Sequence, residues 1–202
     1  KTLFIELRAA FRLARVGLHL AWGAATVAVV FPWSSQAFKR ALKRRWSRQL
    51  LGTLGIRLKV IAGGVPSAAE GNAKVGAGRT AQAAIPAGLL VANHISWLDI
   101  YVINALTPAA FVSKDELRGW PLIGWLCANT ETIFLARGSR VAAQQTRTSI
   151  VEQLRDGTHV ALFPEGTTTG GECVLPFHGA LFQSAIDADV PVVPLALRYL
   201  DG

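Results

Sequence analysis

Asn93-His94-Ile95-Ser96-Trp97-Leu98-Asp99 places an imidazole and a carboxylate five residues apart, just after an apolar run, Gly88 to Ala92, that reads as a buried strand. A carboxylate that holds one imidazole nitrogen fixes the tautomer and leaves the other nitrogen to accept a proton, which is the arrangement of a general base. On a regular helix five residues turn through about 140°, so the two side chains meet only if His94 precedes the helix proper. Ser96 and Asp99, three apart, fit a capping box that makes Ser96 the N-cap and leaves His94 two positions outside, in extended or turn backbone. The plainer reading makes Asp99 a cap partner and His94 a hydrogen-bonded loop residue. A second loop, Phe163-Pro164-Glu165-Gly166-Thr167-Thr168-Thr169-Gly170-Gly171, also follows a buried strand. It offers a carboxylate, hydroxyls and backbone N–H groups, enough to hold a polar headgroup. Two ligands are too few for a metal and no Cys/His cluster has zinc-site spacing, so no metal is expected. His159 and His178 read as structural, with His178 near enough to the Glu165 loop to line the same cavity.

These groups need a scaffold. Strand-like runs at Gly88–Ala92, Ala110–Ser113, Thr132–Ala136, Val160–Phe163 and Val190–Leu197 alternate with helical patterns at Leu98–Leu106, Ser139–Arg155 and Leu181–Ala188. The pattern predicts an α/β fold: a mainly buried parallel or mixed sheet flanked by helices, with reactive groups where strands run out into loops. Ile56–Ala62 reads as a further strand, and the Gly, Ala and Ser of Gly63–Ala84 as a loose insertion.

With 202 residues, 51% hydrophobic and 17% charged, the chain is neither disordered nor collagen-like. Two cysteines cannot build a disulfide framework, so a reducing, cytoplasm-facing setting is expected. The net charge of +8 favours an anionic partner, and its location decides which. Phe4, Leu7, Phe11, Ala14 and Leu18 recur at helical spacing beside Arg8, Arg12, Arg15 and His19. Leu20 to Phe31 then loses the polar face, but only about a dozen continuously apolar residues fall short of a simple span. After Pro32, Ser34 or Ser35 caps a second helix with Phe38, Leu42, Trp46 and Leu50 on one side and Lys39, Arg40, Lys43, Arg44, Arg45 and Arg48 on the rest. Residues 1–54 are thus expected to form an amphipathic helical hairpin lying in a lipid headgroup layer, ahead of an α/β domain over 55–202. The rival reading packs these helices on the domain with a solvated charged face. No nucleic-acid recognition motif accompanies the basic cluster. The chain starts without Met and stops just past an apolar run, so both ends, and the domain's C-terminus in particular, read as trimmed.

The order of several short motifs adds a resemblance. Asn93-His94-x4-Asp99, Phe111-Val112-Ser113-Lys114-Asp115-Glu116-Leu117 with Trp120-Pro121-Leu122-Ile123-Gly124, Ile133-Phe134-Leu135-Ala136-Arg137, Phe163-Pro164-Glu165-Gly166-Thr167 and Val190-Pro191-Val192-Val193-Pro194 follow one another over about residues 88–197. The chain resembles the four-motif glycerolipid acyltransferases, best known as 1-acylglycerol-3-phosphate acyltransferases. The resemblance implies a membrane-associated enzyme, at the cytoplasmic face of a bacterial inner membrane. It would move an acyl group from acyl-CoA or acyl carrier protein, co-substrates rather than cofactors, to 1-acylglycerol-3-phosphate, giving phosphatidate. His94 would be the general base and Asp99 its orienting partner. Arg137 and Glu165-Gly166-Thr167 would bind the acceptor's phosphate or headgroup, and Pro194 would lie near the acyl site. Members that form phosphatidate usually carry Arg after Glu-Gly-Thr, where this chain has Thr168. A hydroxyl there cannot pair bidentately with phosphate, which points to a lyso-ornithine lipid or another lysophospholipid as the alternative acceptor, with Lys114 and Arg137 left for cationic contacts. A lipid esterase using water, or a silent lipid-binding module, are the readings from other classes. Ser96 as a covalent nucleophile is disfavoured by its capping position and the lack of a Gly-x-Ser-x-Gly elbow.

Overall fold

The computed structural model describes residues 2–61, 85–135 and 140–200. Strands β1 (Leu89–Ala92), β2 (Ala109–Lys114), β3 (Ile133–Leu135), β4 (His159–Leu162) and β5 (Val192–Leu195) form one sheet in the order β3-β2-β4-β1-β5. Every pairing is parallel, so the expected sheet is parallel rather than mixed and all strands end on one edge. Leu89, Leu90, Val160 and Ala161 are buried because helices cover both faces. One face packs on α5 (Arg140–Arg155) and α6 (Gln183–Ala188) through Ile150, Leu154 and Ala185. On the other, Leu90, Phe111 and Ala161 meet Ile103 of α3 (Asp99–Leu106). The outermost strand β5 carries Pro194, whose missing N–H is tolerated at an edge. A short helix α4 (Ile123–Ala128) was not foreseen, since Trp120-Pro121 breaks the pattern before it. Asp115–Gly119 ahead of it is a 3-10 turn.

Ahead of the sheet stand α1 (Thr2–Val29) and α2 (Gln36–Leu54), joined by a 3-10 turn at Phe31–Trp33. Ser35 caps α2 by accepting the Phe38 N–H. The strand expected at Ile56–Ala62 does not form over the described residues 56–61. Gly55, at φ 78°, ends α2 in the left-handed conformation, and the Ile56 N–H donates back to Leu51 O at 2.9 Å. Ile56 then packs with Leu51 and Val102, so the branched residue that signalled a strand is the apolar closure of a helix. The expected insertion over Gly63–Ala84 lies outside the described residues.

The hairpin is built into the domain through α2. Arg44 and Arg48 each donate through Nε to Ala105 O, a last-turn carbonyl of α3, at 3.4 and 2.9 Å. Lys43 donates to Ala109 O and Glu131, and Arg40 to Glu131 and Thr158. Four cations expected at lipid headgroups therefore hold protein acceptors instead. Trp46 stacks on His19 of α1, with ring centroids 4.8 Å apart. Only glycine fits opposite it, since a Cβ on Gly23 would stand 2.5 Å from Trp46 Nε1. Phe11, Leu13 and Leu18 of α1 point away from the protein and are exposed. Ala10–Trp33 is long and apolar enough by length and composition to cross a membrane, with 11% of its apolar window buried.

Candidate active site

Three strand exits meet at the carboxyl edge of the sheet. β1 lies between β4 and β5, with Val91 level with Leu162 on one side and Pro194 on the other. Asn93 and His94 thus emerge between the Phe163 loop and the tail that follows β5. Asn93 grips that tail with both ends of its amide: Nδ2 donates to Leu197 O at 3.0 Å and the Leu197 N–H donates to Oδ1 at 2.7 Å. His94 is fixed through its main chain, its N–H donating to Glu165 Oε1 at 2.7 Å and its carbonyl accepting the Thr169 N–H at 2.9 Å. Phe163 stacks on the imidazole, with centroids 4.0 Å and planes 13° apart.

Residues 93–96 are outside the helix, and there the imidazole reaches Asp99, with Nδ1 2.8 Å from Oδ2. The same oxygen accepts the main-chain N–H groups of Ile95 and Ser96 at 2.7 and 2.9 Å. The other, Oδ1, accepts the Tyr199 hydroxyl at 2.6 Å. The expected N-cap is corrected: Leu98, not Ser96, takes that position and caps with no side chain. The reason is that Ser96 Oγ accepts the N–H of Leu98 at 3.2 Å and Asp99 takes the Ser96 N–H in a turn ahead of a helix that starts at Asp99, which leaves His94 farther outside it. Burial pushes the Asp99 carboxyl up, but hydrogen bonds from His94, Ser96, Tyr199 and Ile95 outweigh it and hold the group below its ordinary value. An ionised carboxylate only accepts, so the His94 hydrogen sits on Nδ1 and Nε2 is the free basic atom. The imidazole side chain keeps 18% of its surface exposed, against none for Asp99.

Glu165 is buried, and its second oxygen accepts the Leu175 N–H at 2.8 Å. Its carboxylate thus ties the His94 backbone to the 171–175 segment. Gly166 sits at φ 69°, and a Cβ there would lie 3.3 Å from the His178 ring, so the turn needs glycine. Thr167 and Thr168 are exposed beyond it. Lys114 is exposed at the end of β2, on the same sheet edge, and Pro194 is level with Val91. Arg137 lies outside the described residues. Among the described residues no group of three or more His, Cys, Asp and Glu side chains is placed to hold a metal ion. A hollow of about 530 Å³ lined by Arg40, Arg44, Arg45, Arg48 and Pro108 lies at the amino edge of the sheet, away from His94.

Sequence reasoning missed three contributors. Tyr199 is a hundred residues from Asp99 and no spacing rule links them. Asn93 and Phe163 stood inside the quoted motifs, and their position directly after β1 and β4 was the available signal.

Comparison with known proteins bears on the chain as a whole. The family model described as Acyltransferase matches residues 77–198. A 1-acyl-sn-glycerol-3-phosphate acyltransferase of Neisseria gonorrhoeae is 40% identical over 161 residues, covering 73% of this chain and 63% of that protein. A lyso-ornithine lipid O-acyltransferase of Pseudomonas aeruginosa is 48% identical over 114 residues, covering 55% and 43%. The match therefore spans 63% and 43% of the length of these two relatives. Among solved structures, the 1-acyl-sn-glycerophosphate (LPA) acyltransferase of Thermotoga maritima shares the fold, with a TM-score of 0.58, 23% identity and coverage of 91% of this chain and 74% of that one.

Proposed function

The chain belongs to the acyltransferase family, and from that premise we propose that it moves a fatty acyl group from a thioester donor to the free hydroxyl of a lysolipid, with His94 as general base. The observation that carries this reading is the His94–Asp99 pair, with Nδ1 held at 2.8 Å by a fully buried carboxylate. His94 Nε2 takes the hydroxyl proton as the lysolipid oxygen attacks the thioester carbonyl. The tetrahedral adduct collapses, the C–S bond breaks, and the imidazolium returns its proton to the departing thiolate. The products are an ester and the free thiol of coenzyme A or acyl carrier protein. A positioned base of this kind contributes about 10² to 10⁴ in rate. Asp99 holds the tautomer, Phe163 supports the ring from one face, and Glu165 and Thr169 fix the backbone that carries it. No cofactor is needed for these steps.

The first acceptor is 1-acylglycerol-3-phosphate, giving phosphatidate, in keeping with the relative from Neisseria. Thr168, exposed on the loop that holds His94, favours a second reading, in which a lyso-ornithine lipid or another lysophospholipid is the acceptor. A mixture of these lysolipids offered with acyl-CoA or acyl carrier protein, with products read by mass spectrometry, separates the two. Diacylated product from lysophosphatidate alone supports the first, and preference for lyso-ornithine lipid supports the second. Release of free fatty acid without lysolipid turnover would make the protein an esterase.

The site works at a lipid surface, at the cytoplasmic face of the bacterial inner membrane. The outward apolar side of α1 supports attachment, and the docking of α2 argues for its geometry. Trp46 packs at His19 and Gly23, midway along Ala10–Trp33, while neighbouring cations of α2 hold carbonyls of α3. Centring α1 across the bilayer would drag α2 and α3 into hydrocarbon, so the hairpin lies along the surface instead. Replacing the exposed Leu13, Leu18 and Trp22 together by Ser should abolish flotation with anionic vesicles, and unchanged flotation would refute this attachment.

A further inference from the structure

Among the described residues the Asp99 carboxylate receives four donors, and three of them converge on Oδ2. Two of those, the Ile95 and Ser96 N–H groups, belong to its own turn and set how far the carboxylate stands from His94. Its rotation is set from the other side, where Oδ1 meets the Tyr199 hydroxyl at 2.6 Å. This donor arrives on the tail after β5, which Asn93 grips at Leu197 through two hydrogen bonds. Asn93 directly precedes His94, so the segment bearing the imidazole also carries the clamp that delivers the tyrosine.

We propose that Tyr199 is a positioning residue of the dyad, holding the Asp99 carboxylate turned toward His94 Nδ1; the proposal rests on the acyl-transfer reading above. Burial and the adjacent carboxylate push the Tyr199 hydroxyl well above its ordinary value, so it remains a donor throughout the working range. Among the described residues, the only titratable side chains hydrogen-bonded to Asp99 are His94 and Tyr199. Glu165 faces the N–H groups of His94 and Leu175, the His178 ring lies beside Gly166, and Arg198 is exposed in the tail. All of these remain when the tyrosine hydroxyl is removed. A carboxylate relieved of one donor is more basic and pulls harder on the Nδ1 proton, so the imidazole stays protonated to higher pH and the base is lost earlier on acidification.

Tyr199→Phe in the full chain keeps the ring and removes the hydroxyl. Two readouts follow it: the pH profile of acyl transfer, and titration of the His94 ring by NMR of ¹⁵N-labelled histidine, which needs no turnover. The expected result is a fall in kcat of about tenfold, the rate equivalent of about one pKa unit, with KM little changed. The acid limb of the profile and the His94 titration both move to higher pH. A variant whose acid limb and titration coincide with wild type overturns the proposal, even if its Tm falls. A titration that moves in a protein transferring no acyl group upholds Tyr199 and overturns the acyl-transfer reading instead. Should Tyr199→Phe not fold, Asn93→Ser, which releases the tail, carries both readouts with the same signs, and wild-type values there are equally fatal.

Discussion

Asp99 and Glu131 are both carboxylates drawn into the protein, and they are held by opposite kinds of partner. Asp99 is met by two main-chain N–H groups of its own turn, an imidazole and a phenol, none of which carries a fixed positive charge. Glu131 is met by Lys43 Nζ at 2.8 Å and Arg40 Nε at 3.1 Å, both at the ends of long side chains on α2. Burial pushes the Glu131 carboxyl up, yet these two cations hold it below its ordinary value. Burial also draws the Lys43 ammonium down, even with Glu131 beside it. Short donors on rigid backbone aim a group, whereas long cations fasten one element to another. The site therefore depends on amide geometry, and the attachment of the hairpin depends on charge.

The difference can be broken from either side. Asp99→Asn places an amide NH₂ among groups that themselves donate, so transfer should fall about 10²-fold, with a loss of about 2 to 4 kcal/mol in stability. Initial rates with a lysolipid and thioester donor, beside urea denaturation, measure both, and a variant of wild-type rate would show that the aiming is dispensable. Glu131→Gln should behave in the reverse way. It leaves Lys43 and Arg40 without their carboxylate, for a loss of about 1 to 3 kcal/mol after discounting partial exposure, with the rate per folded molecule within about twofold of wild type.

The same variant carries the smallest and sharpest sign. A carboxyl lowered in the folded state contributes stability that is fully present above its ordinary value and is lost as pH falls below that value and through the lower folded one. Glu131→Gln lacks that contribution, so its stability should decline less than that of wild type between about pH 5 and pH 3. Parallel decline of the two would place the coupling elsewhere.

Much of this architecture is written in local pattern. Apolar runs marked all five strands to within a few residues because a parallel sheet covered on both faces leaves no polar alternation to confuse them. The His94–Asp99 encounter was legible because a five-residue spacing brings the two side chains together only when His94 lies outside the helix, although the helix starts later than the Ser96 capping signal suggested. What local pattern hid is long-range. Ile56 looked like the start of a strand because branched residues serve a helix-closing contact as readily as a sheet. The stripe of Arg40, Lys43, Arg44 and Arg48 looked like a lipid-facing surface because the acceptors it meets, Ala105 O, Ala109 O and Glu131, are 57 or more residues away. Tyr199 was invisible for the same reason, being brought to Asp99 only by the neighbouring positions of β1 and β5.

The most direct test of a base at position 94 is the initial rate of acyl transfer by His94→Ala beside wild type, both folded and bound to vesicles near neutral pH. A loss of about 10² to 10⁴ in rate, with a melting temperature within a few degrees of wild type, is the expected result. Turnover equal to wild type would contradict it and would leave the His94–Asp99 pair as a structural hydrogen bond.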